Sequence, residues 1–221
     1  RAVLTKQSDG GWRLAQTQIS YGNGDMVASG EFGGGTAAVD LALQDMPLSL
    51  VDLAVADIGL GGTISGLVDF RATASGMPTG SAQVKVSNLT RSGLVLSSTP
   101  IDLTVVSDLS ASALDLRAVV DEGGKRRGRV QARITGLPQV GGLVRRLQRG
   151  NLLAQLRYNG PAASLWRLAA IEAFDLTGPL AVAADVTGTL ADPSVRGSMR
   201  SDALRVQSAL SGTDIRDVSV R

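Results

Sequence analysis

Residues Thr36–Met46 read TAAVDLALQDM, and the alternation of side chains along this stretch decides the fold class. Val39, Leu41 and Leu43 occur at every second position, with Asp40 between the first two. Successive side chains of a β-strand point to opposite faces, so a period of two gives one apolar and one polar face. The stretch is therefore predicted to be a strand with two unlike faces.

The same alternation recurs along most of the chain, separated by turn signals such as Gly33-Gly34-Gly35 and Asn159-Gly160-Pro161. Further strands are predicted at Thr63–Thr73, Ser81–Ser87, Ile101–Val106, Leu114–Val120, Arg129–Ile134, Leu152–Tyr158, Leu180–Thr187 and Val195–Arg200. About a dozen strands at ~4.8 Å each would make a sheet on the order of 55–60 Å long. The fold class predicted is mainly β, an elongated curved sheet shaped like a trough, with two or three short helices.

Composition narrows the function classes. Hydrophobic residues make up 43% of the chain but aromatic residues only 3%, so the apolar surface is formed mostly by small aliphatic side chains. The chain has no His and no Cys, which excludes a histidine base, a thiol nucleophile, a His or Cys metal site and a disulfide. A formal net charge of +2 does not favour nucleic-acid binding. No apolar run is long enough to span a membrane, and we expect the chain to be part of a longer protein.

Three stretches depart from the strand pattern, with apolar residues spaced three or four apart. Pro47–Ala56 and Pro161–Ala173 each begin with a proline at a position that suits the first turn of a helix. Pro138–Arg149 is a third candidate, with Gly150 as its stop signal. Short helices are therefore predicted at Leu48–Ala56 and Ala162–Ala173, with Leu165 and Leu168 buried and Trp166 at least partly buried. A further helix is predicted before Gly150.

The two proline-led helices indicate an internal repeat. Aligning Pro161 with Pro47 also places Leu180 near Ile64 and Asp185 on Asp69, at an offset of 114 to 116 residues. Chance similarity between simple β sequences is the alternative interpretation. The repeat predicts leading strands at 1–46, a first unit at 47–160 and the start of a second at 161–221, all in one continuous β-domain.

The second unit carries a resemblance to a known family. The motifs are SLWRL at Ser164–Leu168, LTGPL at Leu176–Leu180, GTLADP at Gly188–Pro193 followed by Arg196-Gly197, and Gly212-Thr213 before IRDV at Ile215–Val218. Together they resemble the C-terminal part of the TamB family, the large subunits of bacterial translocation and assembly modules. Residues 45–89 more loosely resemble the preceding repeat unit of that family. Residues 1–35 and 90–150 resemble it only in the general character of their sequence.

The resemblance implies a periplasmic segment of an inner-membrane-anchored protein of a Gram-negative bacterium. Such AsmA-like bridge proteins carry phospholipid or another acylated lipid along an apolar groove towards the outer membrane, and some pair with an Omp85-type barrel. The predicted lining of the groove's concave face consists of Val39, Leu41, Leu43, Ile64, Val68, Phe70, Val84, Val86, Ile101, Leu103, Val105, Leu114, Leu116, Val130, Ile134, Leu180, Val182, Val186 and Met199. We expect the opposite face to carry Asp40, Asp69, Lys85 and Asp185.

Other interpretations of the residues stay open. The alternation alone favours a lipid groove and a closed, dry β-sandwich equally. A β-solenoid adhesin or other surface protein is the second candidate for function, although a solenoid repeats at roughly 20–25 residues. A polysaccharide-cleaving β-helix enzyme is more distant, because it needs carboxylates gathered at one site.

No catalytic residue, metal ligand or cofactor is predicted. Gly59–Thr63 (GLGGT) lacks the Lys-Ser/Thr ending of a phosphate loop. Ser81 and Lys85 share the polar face of one strand, and this spacing is typical of a solvated surface. The basic residues Arg145, Arg146 and Arg149 lie on one candidate helix. They suit either a solvated helix face or contact with anionic headgroups.

Overall fold

The described part of the chain forms a 14-stranded antiparallel sheet that is curved and does not close on itself. The computed structural model describes residues 3–53, 59–73, 77–92, 98–169, 173–208 and 211–220. The strands are β1 (Leu4–Lys6), β2 (Trp12–Tyr21), β3 (Gly24–Gly33), β4 (Thr36–Pro47), β5 (Leu60–Thr73), β6 (Thr79–Arg91), β7 (Ile101–Leu109), β8 (Ala113–Glu122), β9 (Lys125–Thr135), β10 (Asn151–Pro161), β11 (Asp175–Thr177), β12 (Pro179–Gly188), β13 (Pro193–Ser208) and β14 (Thr213–Val220). The prediction of a mainly β, curved sheet is confirmed.

Consecutive strands pair from β1 to β10, and β12 and β13 then extend the sheet. The long strand β13 pairs with β12 along its first half, while β11 and β14 pair with its second half. Most steps between neighbouring strands are hairpins or short connections, which is the simplest way for a chain to build an antiparallel sheet. The connections from β9 to β10 and from β10 to β12 are longer, and each contains a helix.

All nine strands expected from the alternation are present, but five others are not apparent in the sequence. β2 and β3 contain bulges or glycines, and β2 has few buried side chains, so their alternation is weak. β1 and β11 are only three residues long. Pairing with a strong neighbour, rather than an intrinsic pattern, holds these segments in the sheet.

The helices are shorter than predicted. A 3₁₀ helix covers Leu48–Leu53, directly after β4, and the remainder of the candidate lies outside the described residues. Helix α2 covers Ala162–Leu168, while Ala173 is not helical and 170–172 lie outside the described residues. Helix α1 covers Leu143–Arg149 and ends at Gly150, whose N–H bonds to the Arg146 carbonyl. Its predicted stop is thus confirmed.

The register places all nineteen predicted lining residues on one face of the sheet, which we call the apolar face. For example, Leu41 lies opposite Val68, and Val182 lies opposite Met199. Directly opposed residues of an antiparallel pair share a face, so these cross-strand pairs fix the orientation of whole strands. Asp40, Asp69, Lys85 and Asp185 occupy the intervening positions and therefore the other face, the polar face.

The repeat has a counterpart in the strand pairing. β4 is followed by the 3₁₀ helix and pairs with β5, as β10 is followed by α2 and pairs with β12. Asp69 lies opposite Asp40, and Asp185 lies opposite Gln155, which is the residue 115 positions after Asp40. Matched positions thus have matched partners. The division of the chain into two units stays a prediction.

Candidate functional site

Two rows of directly opposed residues, nearly all of them aliphatic or glycine, cross the apolar face from β3 to β13, at right angles to the strands. We call them the floor rows. The first consists of Met26, Leu43, Gly66, Val84, Val105, Ala118, Val130, Leu156, Ala184 and Gly197, and the second of Ala28, Leu41, Val68, Ala82, Ser107, Leu116, Ala132, Ala154, Val186 and Val195. Their only polar side chain is that of Ser107. Ten strands at ~4.8 Å spacing give an apolar track about 43 Å long.

The apolar face is only partly covered. Among the nineteen predicted lining residues, Val86, Ile101, Ile134 and Leu180 are buried, and Val39 and Met199 are exposed. The remaining thirteen are half-buried. A closed sandwich would remove most such side chains from water. The described part of the chain therefore presents an open apolar surface.

Buried clusters flank the floor rows at the two ends of the strands. On one side, Ile101, Val120 and Tyr158 form a cluster on which Leu165 and Leu168 of α2 pack. On the other side, Ile134, Leu137 and Leu152 form a cluster on which Leu147 of α1 packs. Leu165 and Leu168 are half-buried rather than buried, so that prediction is only partly right. The helices thus form two rims, and the floor rows lie between them.

Helix α2 is fastened to the neighbouring strand by a charged pair and an aromatic contact. Arg167 donates from Nε to Oδ1 of Asp175 at 3.0 Å and from Nη2 to Oδ2 at 2.6 Å. This hydrogen-bonded pair holds the pKa of the Asp175 carboxyl below its usual value. Trp166, half-buried as predicted, donates from Nε1 to the Phe174 carbonyl at 2.7 Å, and the two rings lie 4.7 Å apart. These contacts fix the rim in place.

A second anchor lies beneath the start of α2. Ser164, only 1% exposed, donates its hydroxyl to Oε1 of Glu122 at 2.5 Å. Arg127 Nε lies 3.6 Å from Glu122 Oε2, and both atoms are buried without a hydrogen-bond partner. Tyr158 donates to the Pro161 carbonyl at 2.9 Å, and burial raises the pKa of this phenol. This cluster was not predicted from the sequence, because Glu122 and Ser164, which join its two halves, are 42 positions apart along the chain.

The predicted polar face is held by surface ion pairs and hydrogen bonds. Arg71 pairs with Asp40 at 2.6 Å, and Arg157 pairs with Asp185 at 2.9 Å. Asp69 accepts hydrogen bonds from the backbone N–H and the hydroxyl of Ser81. The side chains of these two ion pairs are between 38% and 54% exposed, so each pair contributes little stability, but together they keep this face hydrated.

Three shallow depressions, of about 560, 480 and 520 Å³, lie on the polar face rather than on the apolar face. Charged or polar side chains line them, among them Arg13, Glu31 and Asp115. Arg13 and Glu31 are paired with each other at 2.6 Å, and Asp115 is paired with Arg133. An acyl chain would strip water from these groups without replacing their hydration. The depressions are therefore unsuited to lipid tails.

The possible catalytic arrangements find no support in the geometry. Ser81 bonds to Asp69, while Lys85 lies opposite Ser65 and Thr104. Asp69 and Asp185 lie on β5 and β12, with many strands between them. In the described ranges, no three carboxylates, histidines or cysteines gather as a metal site would require.

No known protein family matches the chain, and neither a curated protein nor a solved structure matches it. The resemblance carried by Ser164–Leu168 and its companion motifs thus stays a prediction. No helix within the described ranges has the length and apolar character needed to cross a membrane.

Proposed function

We propose that this chain is a segment of a bridge protein that conducts phospholipid or another acylated lipid along its apolar face. The observation that carries the proposal is the pair of floor rows, which offers an apolar track interrupted by a single hydroxyl group. Acyl chains lying on this track would cover side chains such as Val105 and Leu116, which are half-buried in the chain alone. Removing that area from water is favourable by roughly 25 cal/mol per Å².

The small size of the floor side chains also supports this function. Gly66, Ala118, Ala132 and Ala184 lie among branched residues in the rows and leave space above the sheet. The bulkier Tyr158 and Trp166 lie at the α2 rim instead. A track of this kind imposes no specific headgroup, so it suits transport of acyl chains more than recognition of one lipid.

The cellular setting follows from the resemblance to the TamB family alone. We propose a periplasmic location between inner and outer membranes, with an Omp85-type barrel as a partner and outer-membrane protein assembly as a linked role. The chemistry is binding and transfer, without a catalytic step.

Two neighbouring residues of β7 provide the test. Val105 lies in a floor row, whereas Val106 points to the polar face and is 46% exposed. The purified chain is mixed with phosphatidylglycerol vesicles, separated from them, and examined by native mass spectrometry for bound phospholipid. We expect phospholipid on the unmodified chain and on Val106→Arg, and its loss from Val105→Arg. An arginine in the floor interrupts the track, but its long side chain can reach water without unfolding the sheet.

Circular dichroism and thermal unfolding show whether both variants retain the sheet. Absence of phospholipid from the unmodified chain would overturn the proposal. Equal phospholipid on two folded variants would show that the lipid lies elsewhere.

A further inference from the structure

The part of the chain around α1 lies at one rim and combines exposed aliphatic side chains with exposed basic ones. Val140 is 85% exposed and Val144 is 70% exposed, more than any other large hydrophobic residue in the described ranges. Arg145 and Arg149, one helical turn apart, are exposed as well. We call these four residues the α1 tip. Exposed aliphatic residues that lie singly need no explanation, but two beside two cations form a distinct surface.

The α1 tip is held rigidly, because the opposite side of the helix is anchored in the sheet. Arg146 is only 3% exposed and donates from Nε to the Pro138 carbonyl at 2.5 Å and from Nη2 to the Ala111 carbonyl at 3.2 Å. Leu147 packs on the cluster around Ile134. The expectation that all three helix arginines share one role is therefore wrong: Arg146 is a structural anchor, and its neighbours face outward.

The charge of the tip is not neutralised by nearby acids. Neither Arg145 nor Arg149 forms an ion pair with another described residue, and α1 contains no acidic residue. The loop after β12 meets the helix through the Ala191 N–H, which donates to the Gln148 carbonyl at 3.3 Å. This loop adds the apolar side chain of Leu190, 48% exposed, and one carboxylate, Asp192. The combined surface remains basic and aliphatic.

We propose that the α1 tip docks on the surface of an anionic bilayer. Its arginines would contact lipid phosphates, while Val140 and Val144 enter the boundary between headgroups and acyl chains. Segment 138–149 has no aromatic side chain on which a nucleic-acid base could stack, so a single-stranded nucleic acid fits less well. This role is additional to the lipid track, since the tip lies outside the floor rows.

The test measures sedimentation of the full chain with phosphatidylcholine vesicles, with and without phosphatidylglycerol. We expect binding only where phosphatidylglycerol is present, and weaker binding at high salt. Val140→Asp with Val144→Asp should abolish it, whereas Leu67→Asp should not. Leu67 is a suitable control because it is 63% exposed and lies on the polar face of β5.

A second pair of variants tests the charge. Arg145→Gln with Arg149→Gln should weaken binding about five-fold for each arginine removed, whereas Arg117→Gln with Arg129→Gln should change it little. The control arginines are likewise exposed, but they lie on the polar face.

The outcomes separate this proposal from the lipid track. Phospholipid detected by native mass spectrometry should persist in the tip variants, because their floor rows are intact. Equal vesicle binding by tip and control variants would overturn the docking proposal while leaving the track untouched. The docking proposal would also be overturned if the unmodified chain bound neither kind of vesicle. Binding of an acidic protein to the α1 tip would not rescue it, because the proposed partner is a bilayer.

Discussion

Tyr158 on β10 and Val182 on β12 lie directly opposite each other, and both belong to the packing beneath α2. Tyr158 is 4% exposed, although its strand belongs to a surface that is elsewhere half-open. Positions on the apolar face are thus of two kinds. Those under the rims belong to or pack against the buried clusters, and most of those in the floor rows, such as Val68, lie outside these clusters and remain partly accessible.

This difference predicts that the same substitution, valine to arginine, lowers the free energy of unfolding by different amounts at the two kinds of position. Val182→Arg places a charge under α2 without a partner, and we expect it to lower the free energy of unfolding by about 2–4 kcal/mol. Val68→Arg, in a floor row, should cost less than about 1 kcal/mol because its side chain can reach solvent. Urea unfolding of both variants measures the two values. Equal losses would show that the floor is as closed as the rim.

The Arg167–Asp175 pair predicts a pH-dependent contribution to stability. Because the folded-state pKa of Asp175 is lowered, chiefly by its hydrogen bonds with Arg167, the pair stabilises the fold above the pKa of the unfolded chain, about pH 4. This stabilisation is lost as the pH falls through the lower folded-state pKa. Both side chains are mostly covered, so Asp175→Asn should cost about 1–2 kcal/mol at neutral pH.

The melting temperatures of the two proteins, followed from neutral to acid pH, test this prediction. The difference between them should stay constant above about pH 5 and shrink below about pH 4. A constant difference down to the most acid pH would mean that the pair does not respond to the charge of Asp175. Asp202→Asn serves as the control, since Asp202 is exposed and its carboxylate forms no ion pair with another described residue.

The faces of the sheet could be predicted from sequence because their signal is local. In Thr36–Met46, the alternation of polar and apolar side chains indicates which face of the sheet each one occupies. Once one pair of opposed residues is correctly aligned, the faces of the other residues in that strand follow. The floor rows could also have been found in part, since each is a series of such positions. Which of those positions the rims cover could not be predicted, because this depends on where α1 and α2 fold back.

Contacts between residues that are distant in sequence could not be predicted from the alternation of polar and apolar residues. Glu122 and Ser164 are 42 positions apart, and no pattern in the sequence links the two residues. Arg146 looks like its exposed neighbours in sequence, and only the carbonyls of Pro138 and Ala111 make it a buried anchor. The same limit applies to β14, whose alternation is weak and whose pairing depends on the second half of β13.

Because the buried Ser164 hydroxyl donates a hydrogen bond to Glu122, we expect Ser164→Ala to lower the free energy of unfolding more than the loss of one hydroxyl at the surface would. The substitution removes a donor from Glu122, a carboxylate that already has one buried oxygen without a hydrogen bond. We expect a loss of about 1–3 kcal/mol in the free energy of unfolding, against about 0.5 kcal/mol or less for Ser112→Ala at an exposed site. Chemical denaturation of both variants gives the comparison. A loss no larger than that of the control would show that Glu122 is satisfied by other groups.

The position of Gly66 on β5 allows a close approach to the backbone of β6 in the first floor row, and this contact can be tested by substitution. It lies between Leu43 and Val84 with φ +142°, and a Cβ atom added there would lie 2.1 Å from the Gln83 carbonyl oxygen. Gly66→Ala therefore combines backbone strain with a steric clash, and should lower the free energy of unfolding by about 2–4 kcal/mol.

Gly142 provides the matched control for this glycine. It precedes α1 with φ −65°, and a Cβ atom there would meet nothing within 4 Å, so Gly142→Ala should change stability by about 0.5 kcal/mol or less. Guanidinium unfolding of the two variants measures the difference. If Gly66→Ala is as stable as Gly142→Ala, β5 and β6 are not paired in the register that aligns the first floor row. The continuous track would then be broken between Leu43 and Val84, which removes the structural basis for lipid passage.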